Sequence, residues 1–152
     1  CTRRRGRLAA TLAPLFRAIP MSLITTPISH GELLDKITIL EIKAAHIADA
    51  AKLANVRTEL ELLDRTWAAD AAAQVDLGDA RARLKAVNQK LWDIEDAIRL
   101  KERAQAFDAE FIALARAVYF TNDERAAIKR EINLKLGSAL VEEKSYQDYR
   151  AG

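Results

Sequence analysis

The strongest constraint on this chain is a capped apolar repeat that begins at residue 29. Ser29-His30-Gly31-Glu32 has the form of a capping box: the serine hydroxyl accepts from the amide three residues on, and the glutamate reaches back. Pro27 blocks an earlier turn, and Ile28 and Leu33 stand at the positions of a hydrophobic staple. Behind the cap, Leu33, Ile37, Leu40, Ala44, Ile47 and Ala51 recur at alternating spacings of four and three. That period puts one apolar stripe along a helix and leaves a strand no consistent inner face. Leu34, Ile39 and Ile42 broaden the stripe, which predicts that this helix meets more than one neighbour.

The same spacing recurs downstream. Asn55 is the expected cap of a second helix carrying Val56, Leu60, Leu63 and Trp67, and Asp76-Leu77-Gly78-Asp79 reads as a turn. A third helix holds Leu84, Val87, Leu91, Ile94 and Ile98 and runs to about Gln105, a rod of roughly 40 Å. Asp108 is the expected cap of a fourth, with Phe107, Phe111, Leu114 and Val118. Thr121-Asn122-Asp123-Glu124 repeats the capping-box form and predicts a fifth, carrying Ile128, Ile132 and Leu136 and stopped by Gly137. No useful length of sequence alternates in strand fashion. The expected fold is all-α, an antiparallel helical bundle of about five helices with long coiled-coil-like hairpins. Leu, Ile, Val and Phe make up 40 of 152 residues, enough apolar bulk for a folded core.

The net charge of +2 divides unevenly. Arg3, Arg4, Arg5, Arg7 and Arg17 precede the first acid, Glu32, so the rest of the chain carries 19 of the 24 basic residues against all 22 acids. A nucleic-acid footprint calls for a basic face on the folded domain, so no nucleic-acid partner is expected. The basic start and the apolar Leu8–Phe16 follow the order of a signal segment, but that stretch is short, contains Pro14 and ends at Arg17. Met21-Ser22-Leu23-Ile24 makes the better start. Residues 1–21 are therefore expected to be a disordered basic leader or a mis-assigned start, and residues 22–152 a single helical domain. No apolar run approaches the roughly 20 residues that span a bilayer, and the expected location is the cytoplasm.

Two polar stripes are candidate binding groups. Lys85, Asn88, Trp92, Glu95 and Arg99 on the third helix lie at helical spacing beside its apolar stripe, where a bundle places cleft-lining groups. A cation, an amide, an aromatic plate, a carboxylate and a guanidinium could together grip a sugar or a phosphorylated metabolite. Glu95 and Arg99 also form an ordinary i,i+4 pair. Arg125, Lys129 and Asn133 make the second stripe. His30, in the first turn of the first helix, is of a residue type suited to general acid–base work, but a lone histidine at a helix start is more often structural or exposed, and His46 is too far along the chain for local metal spacing. One cysteine and two histidines exclude a zinc cage or a disulfide framework, so neither a metal nor a cofactor is expected. No catalytic residue is assigned.

Several blocks in combination resemble a group of small bacterial proteins known only as a domain of unknown function. They are Gly31-Glu32-Leu33-Leu34-Asp35-Lys36-Ile37-Thr38-Ile39-Leu40-Glu41-Ile42-Lys43; Leu91-Trp92-Asp93-Ile94-Glu95-Asp96; Asn122-Asp123 with Arg125-Ala126; Ile132-Asn133; and Glu142-Glu143-Lys144-Ser145-Tyr146. The resemblance covers about residues 22–149. It implies a bacterial setting, sometimes beside sugar-transferring enzymes of surface-polysaccharide assembly, and it supplies no catalytic residue. The expected role is that of a non-catalytic helical protein acting through a homo-oligomer or a protein partner. The alternative is a small all-α enzyme that holds an anionic or sugar-containing metabolite, a small-molecule ligand gripped by the two stripes.

Overall fold

In the computed structural model, which describes residues 22–149, four α-helices and one short 3-10 turn account for the regular structure. Helix α1 spans His30–His46, so the expected stripe ends before Ile47 and Ala51, the latter belonging to the next helix. The Ser29 hydroxyl accepts from the Glu32 amide at 3.1 Å, as expected, but the Glu32 carboxylate pairs with Lys129 and does not reach back to the cap. Helix α2 spans Ala50–Ala69. Its cap is Asp49, whose carboxylate accepts from the Lys52 amide at 2.9 Å, so Asn55 lies inside the helix and does not start it. Asp49 comes first and caps as well as asparagine does, and nothing after it breaks the helix. A 3-10 turn, Ala71–Gln74, and a bend at Gly78 (φ +59°) lead into α3, Ala80–Arg103.

Helix α4, Ala109–Lys135, replaces the expected fourth and fifth helices with one continuous rod. Asp108 caps it, accepting from Phe111 at 3.0 Å. The second capping box does not operate: Thr121 is buried, and the Asn122 amide donates back to the Val118 carbonyl at 3.0 Å. Residues that cap a helix can also bond to the preceding turn from within one. Here burial of Thr121 against the core keeps the helix going. Among the described residues the bundle therefore has four α-helices, not five.

The two hairpin helices end in the same way. At the end of α4, Gly137 (φ +62°) donates to Leu134 and Ser138 donates to Asn133 at 2.8 Å, the paired bonds of a Schellman motif. At the end of α3, Gln105 donates to Glu102 and Ala106 to Lys101, each at 3.0 Å, with Gln105 in the left-handed conformation (φ +52°). A side chain with a Cβ is strained there, and glycine is not. Gln105→Gly is therefore expected to stabilise the chain by roughly 0.5–1 kcal/mol in urea unfolding, an effect visible as a raised midpoint at constant slope.

Helix α1 packs against all three others, whereas α2 lies on no helix but α1. α2 runs back along α1, bringing Trp67 to His30, and none of its residues is fully buried. Helices α3 and α4 form an antiparallel hairpin, with Arg83 paired to Glu131 at 2.7 Å and Lys101 to Asp108 at 3.0 Å at opposite ends. The core lies where α1 meets this hairpin: Leu34, Ile37, Leu84 and Ile132 have no exposed surface. Leu60, Leu63 and Trp67 of α2 cover its flank. Beyond Trp92, which stacks near His46 at the end of α1, α3 and the first turns of α4 continue as a two-helix arm. After Gly137 the chain has no regular structure and straps across α4, held by Lys144 on Asp123 and by Tyr149, whose hydroxyl donates to Asp123 at 2.6 Å. Among the described residues no strand occurs, and no helix is long and apolar enough to cross a membrane. The leader expected over residues 1–21 lies outside the described residues, apart from its boundary at 22.

Candidate functional site

The broad apolar face of α1 turns both toward α2 and toward the α3–α4 hairpin, so polar residues between those directions are buried as well. Asp35 is 1% exposed. Arg125 of α4 grips its carboxylate with two nitrogens, Nε donating to Oδ1 at 2.9 Å and Nη2 to Oδ2. Asn88 of α3 donates to the same carboxylate at 2.9 Å and to the Thr38 hydroxyl at 3.0 Å. Thr38 in turn donates to the Asp35 carbonyl at 2.9 Å. One carboxylate thus ties three helices together. The fork geometry of arginine suits a carboxylate, and two parallel charge-assisted bonds fix the ring of donors in place. The hydrogen bond to Asp35 raises the Arg125 pKa above the usual arginine value.

One turn away, the backbones of α1 and α4 come into close contact. Gly31 donates to the Asn133 side-chain oxygen at 2.7 Å, and a Cβ on Gly31 would stand 2.6 Å from the Lys129 carbonyl and 2.9 Å from that same oxygen. Only glycine fits this contact. Beside it Lys129, 7% exposed in its side chain, pairs with Glu32 at 2.7 Å and with Glu142 of the strap. Burial works to lower the Lys129 pKa, but hydrogen bonds to Glu142 and Glu32 outweigh it and hold the ammonium above the usual lysine range.

The eight candidate residues separate into different environments. Asn88, Trp92, Glu95, Arg99 and Arg125 line one cleft of about 430 Å³, together with Ile39 and Ile42 of α1 and Leu91 and Asp96 of α3. Lys129 lines a second cleft of about 530 Å³ beneath the strap, on which Arg125 also borders. Lys85 lines neither, and is drawn to Glu41 of α1 at 2.7 Å. Asn133 is wholly buried and serves the contact with Gly31. The two stripes therefore do not face each other across one pocket; Arg125 is the residue they share.

The cations of both stripes are matched to carboxylates: Arg125 to Asp35, Lys129 to Glu32 and Glu142, Lys85 to Glu41, and Arg99 to Glu95. Gly31, Asp35 and Glu142 carry as much of this arrangement as the residues singled out in the sequence. The broadened face of α1 is the signal for Gly31 and Asp35, since two neighbours imply buried polar groups between them; Glu142, on the strap after α4, has no such signal in the sequence. His30 lines neither cleft; its ring stands edge-on to Trp67 and its Nε2 lies 3.6 Å from Asp70. Among the described residues no group of three or more His, Cys, Asp or Glu side chains is placed to hold a metal ion.

A family model described as a family of unknown function (DUF6165) matches residues 24–150. No curated protein and no solved structure matches the chain.

Proposed function

We propose, for a chain that belongs to the DUF6165 family of unknown function, a role in binding rather than bond-making: a non-catalytic helical protein that associates with itself or with a protein partner. The observation that carries this reading is the α3–α4 arm. It extends past the end of α1 with Leu100, Phe107 and Ile112 each more than half exposed, on a hairpin whose two helices cannot cover their own apolar surface. Coiled-coil-like pairing of such arms would bury them. A bacterial setting, sometimes beside enzymes of surface-polysaccharide synthesis, is what the resemblance implies, and a cytoplasmic location is part of this proposal.

The alternative, an enzyme acting on an anionic metabolite through the two basic stripes, has less support. At Arg125 and Lys129 an anion must displace a carboxylate from an enclosed cation before it can bind, and that exchange gains little, while Lys85 and Arg99 are exposed and offer only screened surface charges. The five candidate residues that share one cleft favour a ligand site without favouring an anionic one.

Sedimentation velocity over a concentration series tests the proposal. The expected result is reversible association that weakens in a Leu100→Glu, Ile112→Glu double variant, with helix content and unfolding midpoint unchanged. A chain that stays monomeric at the highest soluble concentration and binds no partner would contradict it.

A further inference from the structure

The cleft between the end of α1 and the middle of α3 has apolar walls and an unbalanced charge. Ile39, Ile42, Leu91 and the indole of Trp92 form its walls. His46, whose Nδ1–H donates to the Ile42 carbonyl at 2.8 Å, places its ring 5.0 Å from that of Trp92 and holds the indole at this end of α1. At about 430 Å³ the cleft falls within the size range of small-molecule sites.

Its charged groups decide what it can take. The guanidinium of Arg125 is neutralised by Asp35, and that of Arg99 by Glu95 at 3.2 Å. Asp96, on the same rim, has neither an ion-pair nor a hydrogen-bond partner among the described residues. One carboxylate is thus left over beside an aromatic face. A cation gains from both, through charge attraction and through the ring quadrupole, whereas an anion meets a repulsive rim.

We propose that this cleft is a binding site for a small amphipathic amine, its ammonium group at Asp96 and its apolar body against Trp92, Leu91, Ile39 and Ile42. The proposal does not rest on the association surface of the arm, although Glu95, Asp96 and Arg99 stand on the turns of α3 where that arm begins.

Three probes with one ring and three charges test the proposal: benzylamine, benzyl alcohol and benzoate, titrated into the full ¹⁵N-labelled chain. The Trp92 indole N–H is the reporter and the Trp67 indole the internal control. Benzylamine is expected to shift the Trp92 signal with an affinity roughly fivefold above benzyl alcohol, and benzoate to bind most weakly. The advantage is expected to shrink as salt is added. Asp96→Asn, an exposed substitution whose fold the same spectra verify, is expected to bring benzylamine down to the level of the alcohol. Tightest binding by benzoate, equal binding by all three probes, a Trp92 signal that none of them moves, or an amine preference that survives Asp96→Asn would each overturn the proposal.

Discussion

Replacing Asp35 by alanine is expected to destabilise the chain by about 3–5 kcal/mol, most of the stability of a domain near the lower end of the usual range of roughly 5–15 kcal/mol. The loss exceeds that of one hydrogen bond. Removing the carboxylate leaves the Arg125 guanidinium half-buried without its counter-charge, the Asn88 amide without one of its acceptors, and the meeting point of three helices without its tie. Arg125→Ala is expected to cost a similar amount, because it strands a carboxylate that is 1% exposed. The paired replacement Asp35→Leu, Arg125→Met removes both charges together and is expected to recover much of the loss, since a buried ion pair contributes little beyond an apolar pair of the same volume. Urea unfolding of the parent, Asp35→Leu, Arg125→Met and the double variant that combines those two replacements closes a double-mutant cycle, and a coupling well above 1 kcal/mol is expected for groups in direct contact. Additive single effects would place the strain elsewhere.

Gly31→Ala is expected to have the second largest effect, roughly 2–4 kcal/mol, from overpacking combined with a disturbed buried hydrogen bond. A methyl group at 2.6 Å from the Lys129 carbonyl cannot be accommodated by rotating a side chain, because the obstructing atom is backbone. The first turn of α1 must move away from α4, which lengthens the 2.7 Å bond to Asn133. In an isolated helix the same change would be favourable, because alanine is the better helix former. The sign of the effect therefore separates the two causes: destabilisation on thermal or urea unfolding reports the close helix contact, and a neutral or stabilising result would show that α1 and α4 do not approach as described. Glycine is required here for space, whereas Gly78 and Gly137 are favoured by their left-handed backbone.

The division between what could and could not be read from the sequence follows from the range of the interactions. The Ser29 cap, the Asp108 cap and the stop at Gly137 depend on neighbours three to five residues away, and each operates as its sequence predicts. The apolar stripe of α3 likewise points inward at Leu84, Val87 and Ile94. Thr121-Asn122-Asp123-Glu124 misleads because its local form fits both a helix start and a helix interior, and only the burial of Thr121 decides between them. Asp35 was hidden for a related reason. An aspartate flanked by Leu34 and Lys36 resembles any solvated helix residue until a second helix supplies an arginine 90 positions later. Asn88, Trp92, Glu95 and Arg99 were found together because helical spacing keeps them on one face. Lys129 and Asn133 were grouped with Arg125 by the same logic, but α4 packs so tightly on α1 at that point that both are enclosed. Periodicity gives the face of a helix, and the depth of its neighbours determines which residues of that face stay open.

The view of these cations as structural groups, already committed to carboxylates, can be tested at a single atom. The Nε–H of Arg125 is expected to give a distinct, slowly exchanging NMR signal, because it donates to a carboxylate that water does not reach. Inorganic phosphate added in excess is expected to leave that signal where it is. A resonance averaged with those of the exposed arginines, or one that moves with phosphate, would instead make Arg125 an open anion-binding group and return the chain to the class of enzymes and anion receptors.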